Sequence, residues 1–93
     1  MAAKLRQYGS RLCFLCPGCE DVHQVHTGPN GWTWDGSVNL PTIDPSVLVQ
    51  YGNQSGDRRC HSFVRGGRIE FLADSTHSLV GQTVDLPDYE WPA

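Results

Sequence analysis

A chain of 93 residues makes one domain with a small core, and domains of this size commonly draw on a metal, disulfides or a partner chain to stay folded. Hydrophobic residues at 39%, charged residues at 18%, 10 Gly and 6 Pro describe a folded, turn-rich chain and exclude wholesale disorder. A formal net charge of -3 speaks against general affinity for nucleic-acid phosphates, which rests on Lys and Arg.

The chain opens on MAAKLRQYGS, which has no apolar stretch of the kind a signal peptide carries. No run of about 18 apolar residues follows to span a bilayer, so a cytoplasmic location is expected (the host cytoplasm for a phage-encoded protein) and no membrane partner. Strand-like alternation then recurs in RLCFLC (11 to 16), VHQVH (22 to 26), WTW (32 to 34), SVLVQY (46 to 51), RCHSFV (59 to 64) and RIEFL (68 to 72). Between these runs stand CPGCED, GPNG, DGSVNLP, GNQSG and RGG, each joining Gly to residues that reverse the chain at little cost. Two β-rich runs about a Gly-Gly turn read as a hairpin. With Arg65 opposite Arg68, Cys60, Val64, Ile69, Phe71 and Ala73 fall on one face, and His61, Phe63, Glu70 and Leu72 on the other. Asp74 offers an N-cap for at most one helical turn in DSTHSLV. The fold expected is mostly β: a single domain over 1–93, an antiparallel sheet or sandwich with a zinc-knuckle turn and at most one short helix. Residues 1–10 and 88–93 are expected to be loosely ordered.

Four cysteines in a reducing compartment read as thiols or metal ligands before disulfides. In Cys16-Pro-Gly-Cys19 the Pro-Gly pair supplies the tight turn of a metal knuckle, whereas the Phe-Leu of Cys13-Phe-Leu-Cys16 supplies strand. Cys13 is therefore a small buried hydrophobe. A redox C-x-x-C would open a helix, and the β-branched EDVHQVH that follows does not. Two thiolates need about two more donors for a closed tetrahedral zinc site. Cys60 at one end of the hairpin and His77 just past its partner strand can converge, giving Cys16, Cys19, Cys60 and His77 as ligands of Zn2+, structural in role, with His61 and then His23 in reserve. The segment GWTWDGSVNLPTIDPSVLV gathers Trp34, Asp35, Thr42 and Ser46 as binding candidates. The competing reading has its tryptophans walling the core and its acids satisfying turn amides.

CPGC, WTWDG, PTIDPSVLV, CHSFV, GRIEFL and HSLVGQTVDLP, in that order, resemble a family of small phage and prophage proteins of unknown function, some of which carry an ammonia monooxygenase label. The resemblance runs from about Phe14 to Pro87 and implies a phage origin and a zinc-binding β domain. It does not imply an activity. The sequence departs from the family pattern at Ser75, where the family has cysteine. The function expected is a noncatalytic module that binds a host or phage protein, with counter-defence as one role. The alternatives are a zinc-dependent hydrolase with an open metal position, using Asp35, Asp74 or His61 as base, and a zinc-ribbon nucleic-acid binder.

Overall fold

The computed structural model describes residues 2–53 and 56–92. Ten strands follow in chain order: β1 (Ala2–Ala3), β2 (Arg6–Tyr8), β3 (Arg11–Cys16), β4 (Asp21–His26), β5 (Thr33–Trp34), β6 (Ile43–Asn53), β7 (Gly56–Arg65), β8 (Arg68–Phe71), β9 (Thr83–Asp85) and β10 (Tyr89–Glu90). They form a three-stranded sheet β2-β3-β4, a five-stranded sheet β5-β6-β7-β8-β9 and a ribbon β1-β10, with antiparallel pairing between all neighbouring strands. The strand runs read from the sequence all lie within or overlap these elements. Of the expected GNQSG turn, Gln54 and Ser55 lie outside the described residues.

The core forms where the two larger sheets face each other. Leu12, Phe14, Cys16 and Val25 from one sheet, with Leu5 beside them, meet Ile43, Val47, Cys60, Val64, Ile69, Phe71 and Leu86. In β7 the alternation is strict: Cys60, Ser62 and Val64 are buried, while His61, Phe63 and Arg65 look outward. Arg65 pairs with Arg68 as expected. The turn between them needs positive φ at both central residues, which Gly66 (58°) and Gly67 (80°) adopt without steric cost. Ala73 departs from the expected face because β8 ends at Phe71, leaving Ala73 exposed in the turn that follows. Strand β3 is buried on both sides. Its other face puts Cys13 in a second cluster with Ala3 and Trp91.

The two end segments pair with each other, Ala2 with Glu90 and Ala3 with Tyr89. The Trp91 indole N–H donates to the Ala3 carbonyl at 2.9 Å, and Leu5 is fully buried. Trp91 and Ala3 join Cys13 of β3 in the second cluster, so the two end segments cover the outer face of the β3–β4 hairpin. No helix occurs among the described residues. After Phe71 the chain runs in turns, with Ser75 N–H donating to Leu72 O and Val80 N–H to His77 O.

Candidate functional site

Two clusters of chemically active side chains share strand β7, one on each of its faces. The inner one starts at the β3–β4 turn. Glu20 N–H closes this turn onto Cys16 O at 2.8 Å, and Cys19 N–H points at Cys16 Sγ at 3.4 Å. Pro17 and Gly18 thus build a thiol-binding knuckle. Gly18 is required for a further reason: a Cβ there would lie 2.3 Å from Cε1 of His77, whose ring packs over the turn. The donor atoms of Cys16, Cys19, Cys60 and His77 all lie within 4.8 Å of one another. This is the quartet expected from the sequence, and it is an arrangement able to hold a metal ion.

The chemistry of the donor set fits a cation. Cys16 Sγ and Cys60 Sγ stand 3.7 Å apart, too far for a disulfide and close to the edge of about 3.8 Å that a tetrahedron with metal–sulfur bonds of roughly 2.3 Å requires. Without a cation the three sulfurs compete for one negative charge. The hydrogen bond from Cys60 holds the Cys16 thiol down at about 4; burial and the charge on Cys16 push Cys19 up to about 11. Cys60 is pushed up as well, by donating that hydrogen bond and by its burial. A divalent ion removes this conflict by letting all three ionise. Nε2 of His77 is buried with no hydrogen-bond partner, as is Nε2 of the neighbouring His23. The reserve ligands stand outside the quartet. His23 is buried with its ring edge-on to Phe14, near enough to lower the Cys16 thiol. His61 points to the opposite face of the sheet.

There His61 meets Ser46 and Asp74. The Ser46 hydroxyl lies 2.9 Å from His61 Nε2, and His61 Nδ1 lies 3.1 Å from each Asp74 carboxylate oxygen. An ionised carboxylate only accepts, so Nδ1 carries the ring proton and Nε2 is left to accept from the serine. This is the connectivity of a serine nucleophile, its base and the acid that orients the base. Three local features bring the groups together. The β6–β7 ladder sets Leu48 opposite His61, which puts Ser46, two residues earlier, on the same outer face; the register shift between Ile43 and Val47 lies beside it. The Trp32 indole N–H donates to Ser46 O at 3.2 Å, fixing this stretch from the β5 side. Past β8 the chain folds back along β7 and delivers Asp74. Arg59 lies 3.8 Å from Asp74, but both side chains are about two-fifths exposed, so this contact contributes little.

The remaining binding candidates are separated from this relay by role. Trp34 packs against the core and its indole N–H donates to Ser37 O. Asp35 accepts from the amides of Ser37 and Thr42, and the Thr42 hydroxyl accepts from Gly66 N–H. These residues line a shallow depression of about 210 Å³ with Thr33 and Asp44. The packing and turn-amide alternative describes their bonding. Ser75 is no ligand: its hydroxyl is bonded to the His61 backbone.

The relay was not legible as a motif, because such triads are recognised by geometry and have no fixed spacing. One signal was present. With Asn53 opposite Gly56, Leu48 falls opposite His61, and period-2 alternation then puts Ser46 on His61's face.

With this geometry established, comparison with known proteins adds one finding. The family described as bacterial ubiquitination-like system serine protease (BubE) matches residues 2–72, and the chain belongs to that family. No curated protein and no solved structure matches it. The matched stretch holds Ser46 and His61 as well as three of the metal-cluster residues; Asp74 and His77 lie just past its end.

Proposed function

We propose that this protein is a serine hydrolase of a bacterial ubiquitination-like system, cutting a peptide or isopeptide bond with Ser46 as nucleophile, His61 as general base and Asp74 as its orienting acid. The observation that carries the proposal is the unbroken chain of contacts from Ser46 Oγ through both nitrogens of His61 to Asp74, at 2.9 and 3.1 Å. Ser46 Oγ attacks the carbonyl carbon while its proton passes to Nε2. The imidazolium so formed is stabilised by Asp74 and returns the proton to the departing amine. Water, activated by the same ring, then releases the acyl group from Ser46 as a carboxylic acid. The family description supports the substrate class, since a protein modifier is joined to its target through an acyl bond of this kind.

The donor set of three thiols and an imidazole supports Zn2+ at Cys16, Cys19, Cys60 and His77. Four protein ligands leave no position for water, so the ion's contribution is to folding; this weighs against the open-site zinc hydrolase. A noncatalytic module would leave the Ser46 relay without a role, and the host or phage protein partner becomes a protein substrate. The zinc-ribbon nucleic-acid reading lacks support, since the net charge is -3 and no helix is available among the described residues to enter a groove. No helix there is long and apolar enough to cross a membrane; a cytoplasmic site of action belongs to the proposal. The test is a fluorophosphonate probe followed by peptide mass mapping. Labelling at Ser46, abolished in Ser46→Ala, is the expected result; an unlabelled protein that is folded and metal-loaded overturns the reading.

A further inference from the structure

Ser75 is buried and its hydroxyl forms two hydrogen bonds, both to one residue. It accepts from His61 N–H at 3.0 Å and donates to His61 O at 3.0 Å. Leu72 N–H also reaches His61 O, at 2.9 Å. The backbone on both sides of the imidazole is thus gripped by the segment that carries Asp74, one residue before Ser75. The neighbouring Thr76 makes a parallel grip on Arg59: Arg59 N–H donates to Thr76 Oγ1 at 3.0 Å, and Oγ1 donates back to Arg59 O at 3.2 Å. At this edge the 72–76 segment takes the place of a further β8 pairing, with hydroxyls standing in for backbone groups.

We infer that Ser75 is a positioning residue of the hydrolase, fixing His61 and Asp74 against each other so that the imidazole stands in line between Asp74 and Ser46. The inference rests on the serine-hydrolase reading and deepens it. Catalytic groups lose effect steeply when displaced, a shift of about 1 Å costing on the order of 100-fold, and removal of the Ser75 hydroxyl leaves the His61 amide without its partner.

The experiment uses the full metal-loaded chain and a fluorophosphonate, with inactivation rates measured over a range of probe concentrations. In Ser75→Ala the maximal rate of labelling at Ser46 falls roughly 10- to 100-fold, while the probe concentration giving half that rate is unchanged. Thr76→Ala, which removes an equivalent pair of bonds one step away from the imidazole, labels at nearly the wild-type rate at temperatures well below its melting point. Should Ser75→Ala fail to fold, Ser75→Cys keeps the shape of the side chain with a weaker hydrogen-bonding group, and its maximal rate is expected to fall in the same direction. Wild-type rates in the folded Ser75 variant overturn the inference alone, as do equal losses in Ser75→Ala and Thr76→Ala. A wild-type protein that takes no label overturns the hydrolase reading and this inference with it.

Discussion

Strand β7 separates two kinds of chemistry by a single residue. Cys60 turns inward, 1% exposed, and joins a cluster suited to a metal; His61 turns outward and joins Ser46 and Asp74. The segment after β8 repeats the division, with Asp74 given to the outer cluster and His77 to the inner one. The same two stretches of backbone therefore hold both sites, although no side chain belongs to both. Disturbing the inner cluster is expected to cost fold and activity together, whereas disturbing the outer one costs activity alone.

The largest effect is expected from metal removal. Chelation, or Cys16→Ser, should abolish both the cooperative melt seen by circular dichroism and fluorophosphonate labelling, because metal affinity in a small domain is folding free energy. Elemental analysis should find one zinc per folded chain. A chelated protein that melts as before and still labels would separate the two faces completely. Next comes Ser46→Ala, for which turnover should drop about 10⁴-fold or more with the melting temperature nearly unchanged, since Ser46 is only half-buried. A large loss of stability there would show that the outer cluster is structural.

Smaller effects sharpen the inner side. Gly18→Ala places a methyl group 2.3 Å from His77 Cε1 and should cost about 1–3 kcal/mol, read as a lower melting temperature together with easier zinc loss to a chelator. The smallest is a gain. Glu20 closes the knuckle at φ 56°, a left-handed conformation that costs a non-glycine residue about 1–2 kcal/mol. Glu20→Gly removes that cost but loosens the unfolded chain, for a net stabilisation of about 0.5–1 kcal/mol, measurable by urea titration.

Much of the inner cluster could be read in advance. Pro-Gly between Cys16 and Cys19 has few structural outcomes other than a knuckle, and the Gly66-Gly67 turn fixed the register that turned Cys60 toward it. In the sequence the outer cluster is scattered: Ser46 stands among binding candidates, His61 among reserve ligands and Asp74 as a helix cap, with His61 and Asp74 also among three candidate bases of the zinc-hydrolase alternative. Its members are joined by the β6–β7 ladder, by the return of the chain along β7 past β8 and by the hydroxyl bonds from Ser75 to His61. Only the ladder has a periodic signature.

Alternation, glycine turns and cysteine spacing are local properties, so the residues alone determined strands β3 to β8, the Arg65–Arg68 hairpin register and the Pro-Gly knuckle. The meeting of Ser46, His61 and Asp74, and the pairing of the chain's two ends, depend on contacts between segments far apart in the chain. Only the packed tertiary structure decided them, because a hydrogen bond between distant segments forms only after the intervening sheets have fixed where each segment lies.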